Sequence, residues 1–211
     1  MAFTSIDNPE LYFQTKTYSG NSGTNALTFD GSENMQPDLM WFKGRNFADD
    51  HTVIDSVRGI TKAVYANSYN QETTQTHYMT AIGSDGFTLD DSGIMNRTGR
   101  TYVSWCWKES ADAGVGIETW TGDGNTNRDV AHNMSATPNV AIIKRRDSTN
   151  SWIVYHDKNT SAPLTDYLYL DTTDATSDAS GAWIGVDGTN VELVQVFSAT
   201  NTNTATYVGY F

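Results

Sequence analysis

Short apolar or alternating segments dominate the chain, and each is too brief for a helix. Residues 39–42, 102–107, 140–144, 152–156, 167–170, 191–197 and 206–211 each read as a β-strand. No stretch of eleven residues joins apolar spacing at three and four to a clean N-cap. Residues 53–69 come nearest, but Gly59 and β-branched residues interrupt them. Turn chemistry separates the strands at Ser19-Gly20-Asn21, Asp30-Gly31-Ser32, Ser84-Asp85-Gly86, Asp91-Ser92-Gly93, Asp123-Gly124-Asn125 and Asp187-Gly188-Thr189. Many short strands between such turns predict an all-β sandwich or barrel.

The pattern also occurs twice. Gln36-Pro37-Asp38-Leu39-Met40-Trp41-Phe42-Lys43-Gly44-Arg45 is echoed by Thr137-Pro138-Asn139-Val140-Ala141-Ile142-Ile143-Lys144-Arg145-Arg146, with proline, lysine and arginine at one constant spacing. Tyr18-Ser19-Gly20-Asn21 returns as Trp120-Thr121-Gly122-Asp123, and Thr101-Tyr102-Val103 as Thr206-Tyr207-Val208. Three anchors in one order mark an internal repeat. The expected organisation is an N-terminal arm over 1–14, a first β-sandwich over 15–110, a flexible joint at 111–115 and a second β-sandwich over 116–211. One larger sandwich fed by both halves is the alternative; two similar repeats, jelly-roll or lectin-like and packed together, is the favoured form.

Parity within the strands sets the expected faces. Leu39, Trp41, Val140 and Ile142 are expected to point inward. Met40, Phe42, Ala141 and Ile143 are apolar too, so they are expected against the partner half or a neighbouring subunit. Trp41, Trp105, Trp107, Ile143, Trp152 and Tyr207 are the core or assembly candidates. Small residues at Ser104 and Gly209 predict a close neighbour on their side, such as an aromatic ring.

Composition narrows the function. The 211 residues carry 25 acidic and 13 basic side chains, a net charge of -12. Phosphate binding needs a basic surface, so no nucleic-acid partner is expected. One cysteine rules out an internal disulfide and a cysteine-based metal cluster. No apolar run nears the roughly 20 residues of a membrane-spanning helix, and the first residues lack the parts of a signal peptide. A soluble, acidic, Sec-independent chain without membrane insertion is expected.

Candidate chemistry is thin. No nucleophile elbow, phosphate loop, dinucleotide fingerprint or zinc-binding His-Glu-x-x-His occurs. Scattered carboxylates (Asp85, Asp90, Asp91, Asp171, Asp174, Asp178) have no spacing that fixes a glycosidase pair. Asp123, Asn125, Asn127 and Asp129 alternate like the start of a calcium loop, but Arg128 stands where such a loop needs glycine; a plain hairpin turn is the favoured reading. Cys106, between two tryptophans, reads as a small hydrophobe. The candidate surface contacts are Lys43, Arg45, Lys144, Arg145 and Arg146, which follow the proline-started strands, with Tyr155, Tyr167 and Tyr169. No enzyme activity and no cofactor are expected.

Several linked motifs resemble a known family. Phe3-Thr4-Ser5-Ile6-Asp7-Asn8-Pro9, Tyr12-Phe13-Gln14-Thr15, Gln36-Pro37-Asp38-Leu39-Met40-Trp41-Phe42-Lys43, Asp55-Ser56-Val57-Arg58-Gly59, Ser84-Asp85-Gly86-Phe87 and Thr101-Tyr102-Val103-Ser104-Trp105-Cys106-Trp107-Lys108 look like a repeated β-rich domain of virion structural proteins. That domain is found in tailed phages, particularly short-tailed phages of marine and cyanobacterial hosts. The resemblance implies a tail fibre, tail appendage or tail-associated component without catalytic residues, located in the virion and assembled in the host cytoplasm. Its partners would be other virion proteins and copies of itself. A capsid decoration protein, or an adhesin for a host surface glycan or receptor, are the alternatives.

Overall fold

A computed structural model describes residues 6–178, 183–193 and 198–211. The protein is all-β. Strands β1 Phe13–Ser19, β2 Asn25–Leu27, β3 Leu39–Gly44, β4 Thr52–Asp55, β5 Lys62–Tyr65, β6 Thr73–Thr74, β7 Met79–Gly83, β8 Gly86–Leu89 and β9 Thr101–Trp107 come first. They are followed by β10 Ile117–Thr121, β11 Arg128–Ala131, β12 Val140–Arg145, β13 Ile153–His156, β14 Asp166–Tyr169, β15 Ser177–Asp178, β16 Trp183–Val186, β17 Asn190–Leu193 and β18 Thr206–Tyr210. A 3-10 turn at Pro9–Leu11, capped by the Asn8 side chain, precedes them.

Both sets of strands fold alike. The first makes a six-stranded antiparallel sheet in the order β1-β9-β3-β4-β5-β6 and a three-stranded sheet β2-β8-β7. The second makes β10-β18-β12-β13-β14-β15 and β11-β17-β16, the same order strand for strand. Each six-stranded sheet buries one face against its own core, as a β-sandwich does.

Two compact units result. Unit 1 comprises Met1–Tyr65 and Thr73–Glu109; unit 2 comprises Ala66–Glu72 and Ser110–Phe211. Phe13 and Gln14, read above as arm, belong to the first strand of unit 1. The joint foreseen at 111–115 is a closed turn, because Ser110 and Val115 exchange both backbone hydrogen bonds. Residues 53–69, the nearest approach to a helix, contain β4 and β5 instead. The strand expected over 191–197 is seen at Asn190–Leu193, and residues 194–197 lie outside the described residues, as do Phe3, Thr4 and Ser5.

Register overturns the expected faces. Met40, Phe42, Ala141 and Ile143 are fully buried in their own cores, while Leu39, Trp41, Val140 and Ile142 lie half-exposed on the other face. Both faces are apolar, so apolarity could not set the parity; the three-stranded sheet did, by stacking over one of them. Phe87 of β8 meets Phe42 edge-on at 5.3 Å between ring centroids. Within the ladder, Met40 and Phe42 lie opposite the small Cys106 and Ser104, which leaves room for Tyr18 and Tyr102 to stack at 5.2 Å. In unit 2, Gly209 plays the part of Ser104. A Cβ there would come within 2.7 Å of the Phe211 ring and 3.0 Å of Trp120, which bears out the crowded aromatic neighbourhood predicted for it.

Candidate functional site

The two six-stranded sheets share a plan but differ on the face turned away from the core. In unit 2 that face carries Ile117, Lys144, Trp152, Val154, Val208 and Tyr210, all buried, beside the half-exposed Val140 and Ile142. Segment Ala66–Glu72 is bound to its rim, and we call that segment the strap. The Tyr69 carbonyl accepts the Asn150 backbone N–H at 2.8 Å and the Lys144 ammonium at 3.2 Å. Lys144 also donates to the Asn150 carbonyl at 2.6 Å. The Trp152 indole N–H donates to the Ser68 carbonyl at 3.2 Å, and its ring stacks on Tyr210. Glu72 donates its backbone N–H to the Arg146 carbonyl, and its carboxylate takes a two-pronged ion pair from the Arg146 guanidinium at 2.8 and 3.1 Å.

These bonds account for a cation that sequence placed at the surface. Lys144 is 0% exposed. Burial pulls its pKa down to about 8, with Asp171 acting in the opposite direction.

Among the described residues no strap covers the same face of unit 1, although Val53 and Val64 on it are buried. Phe13, Thr15 and Thr17 of β1 are exposed, and Trp41, Trp105 and Trp107 are half-exposed. Cross-strand pairing sets Trp41 beside Trp105 and puts Trp107 between Phe13 and Leu39. The Phe13 and Trp107 rings lie 5.1 Å apart, and Phe13 is 38% exposed. The three tryptophans expected in the core therefore form an aromatic outer surface. Lys43, at the position of Lys144, donates to the Asp49 carbonyl at 3.3 Å. Arg45, at the position of Arg146, is exposed and has no carboxylate partner among the described residues.

Other candidates prove structural. Tyr155 and Tyr167 belong to the unit 2 core and Tyr169 packs against it, so none is a free surface contact. Tyr155 lines an open hollow of about 370 Å³ together with Pro163, Leu164 and Val186. Arg145 pairs with Asp147 at 2.8 Å. Tyr207 is core, and Trp152 is buried on the outer face. In the candidate calcium loop, one Asp123 oxygen accepts the Asn125 N–H and the Asn201 amide, while the other accepts Arg128. These bonds, the Asn125 N–H first, hold its carboxyl well below the usual range. Asn127 is exposed, and Asp129 stands on β11 opposite Glu192. Among the described residues no group of three or more His, Cys, Asp or Glu is placed to hold a metal ion.

Two buried polar devices escaped the sequence reading. Asn96 and Asn201, at equivalent positions and both 0% exposed, clasp the loop after the first strand of their unit. Asn96 donates to Asn21, Gly23 and Asp90, and Asn201 to Asp123 and Asn125. In unit 1, Arg58 folds back on Asp55 and the Val53 carbonyl, a buried ion pair inside the Asp-Ser-Val-Arg-Gly stretch. The recurrence of Asn in Met95-Asn96-Arg97 and Thr200-Asn201-Thr202 was a signal, but nothing in composition distinguished it from other loop amides.

One family model, described as a domain of unknown function (DUF7483), matches residues 8–211. The chain belongs to that family. The DUF7483 match runs across both repeats. No curated protein and no solved structure matches the chain.

Proposed function

We propose that this DUF7483 protein is a non-enzymatic structural component of a tailed-phage particle, placed on the particle surface as a tail fibre, appendage or tail-associated part. The observation that carries the reading is the doubled sandwich with one strapped and one open aromatic sheet face, an arrangement suited to joining modules. The motif resemblance, carried by residues 3–108, supplies the kind of particle. A capsid decoration role uses the same features. Fractionation of purified virions with mass spectrometry of their proteins tests the proposal: the protein is expected in intact particles in stoichiometric amount, and its absence there would overturn it.

A second reading is an adhesin for host glycans. It is favoured by Phe13, Trp41, Trp105 and Trp107, since flat aromatic surfaces stack on sugar rings. A glycan array probed with the intact protein tests it, and tryptophan quenching by a bound sugar is the expected signal.

A further inference from the structure

The two repeats are equivalent in sheet order, but only the outer face of unit 2 carries a strap; on that of unit 1, Val53 and Val64 are buried while the aromatic part around Phe13, Trp41, Trp105 and Trp107 stays half-open. The strap leaves β5 at Tyr65 and returns at β6 with Thr73. Between β14 and β15, ending at Tyr169 and resuming at Ser177, lies a segment of the same seven-residue length, 170–176. The pairings agree: Tyr65 lies opposite Thr52 and Tyr169 opposite Ile153, while Thr73 lies opposite Ala63 and Ser177 opposite Tyr167. Segment 170–176 is thus the strap of the second repeat, and residues 172–176 are exposed.

We infer that segment 170–176 docks on the outer face of unit 1 in a second copy of this chain, so that copies join head to tail. The receiving face shares the two cations of the strapped face, though His51 and Asp49 stand where Trp152 and Asn150 do in unit 2. Arg45 and Lys43 stand where Arg146 and Lys144 bind their strap, and the Arg45 backbone N–H is fixed to Thr101 as that of Arg146 is to Thr206. What it lacks is the occupant: among the described residues Arg45 has no acid, Phe13 is exposed and the tryptophans are half-open. The donor offers an acid for Arg45, since Asp174, two residues before the Thr176 that takes the place of Glu72, is exposed. Contacts between two different surfaces do not close on themselves at two copies; they generate a ring or a filament. The inference gives the mode of assembly for the structural role proposed above. Particle fractionation tests membership and the experiment below tests the joint, so either can fail without the other.

Disulfide trapping reads the contact directly. Glu72 and Arg146 are joined by a backbone hydrogen bond, a spacing that suits a disulfide. The corresponding intermolecular pair is Thr176 and Arg45, both exposed, so Thr176→Cys and Arg45→Cys are expected to fold; circular dichroism checks this. Cys106 is buried and stays silent. Mild oxidation of a mixture of the two single variants is expected to give dimers, and of the double variant a ladder beyond dimer. Each single variant alone is expected to stay monomeric. No cross-link in the mixture would overturn the inference, as would Arg45→Cys dimers formed alone, which would mean a symmetric contact. Absence of cross-links together with sugar-dependent tryptophan quenching would assign the same face to a glycan.

Discussion

Tyr102 and Tyr207 close the two units by the same bond: each phenolic oxygen accepts the backbone N–H five positions before it, from Arg97 and Thr202, at 2.9 Å. Both side chains are buried, and each stacks on the aromatic residue of its unit's first strand, Tyr18 at 5.2 Å and Trp120 at 5.5 Å. Replacement by phenylalanine keeps the ring and strands the N–H. Tyr102→Phe and Tyr207→Phe are each expected to cost about 1–3 kcal/mol. Urea denaturation followed by tryptophan fluorescence measures it, and a loss below about 0.5 kcal/mol would show that the bond contributes little.

The corrected strand parity reverses the ranking of two core substitutions. Ile143→Ala empties a fully buried site in unit 2 and is expected to cost about 2–5 kcal/mol. Trp41→Ala removes a half-exposed ring and is expected to cost only about 1 kcal/mol. Paired denaturation curves test this; equal losses would mean that both faces are equally enclosed.

Crowding at Gly209 sets a third expectation. Its neighbours are the rings of Phe211 and Trp120, which are held by the sheet. Gly209→Leu is expected to destabilise unit 2 by about 1–3 kcal/mol through overpacking alone. Near-ultraviolet circular dichroism should show the altered environment of Trp120.

Two groups give opposite alkaline behaviour. Burial pushes the Cys106 thiol up to about 12, so the folded state keeps a proton that the unfolded chain loses near 8.5. Stability from this group is complete below about pH 8.5 and falls by about 1.4 kcal/mol per pH unit above it. Lys144 has the reverse sign: with a folded value of about 8, its ammonium opposes folding below that pH, and the penalty fades toward about 10.4. Cys106→Ala should therefore flatten the alkaline loss of stability, and Lys144→Met should steepen it between pH 8 and 10. Denaturant midpoints across that range measure both; identical slopes in all three proteins would refute the assignments.

The all-β fold was legible because turn residues punctuate short apolar runs, and the repeat because Pro37, Lys43 and Tyr102 recur in order. Strands of mixed polarity were not: β1, with Gln14, Thr15 and Lys16, alternates polar residues and is held by its ladder to β9. The inward face of β3 was unreadable because Leu39–Gly44 is apolar on both sides, and only the second sheet chooses between them. Lys144 and Lys43 look identical in sequence. One is buried and the other half-exposed because the strap, with the Tyr69 carbonyl 75 positions earlier, covers the first. Long-range partners of that kind leave no local trace.

The strap also orders events in time. Residues 66–72 emerge from the ribosome well before Trp152, whose indole they will accept 84 positions later. Until then the segment between β5 and β6 has no seat. Building unit 2 thus includes the capture of chain already made, and that capture must wait for synthesis of the second repeat. Cutting the gene between residues 109 and 110 would separate the polypeptides cleanly, yet the second fragment would leave its Lys144 ammonium without the Tyr69 carbonyl. The boundary in the chain is not the boundary in the fold.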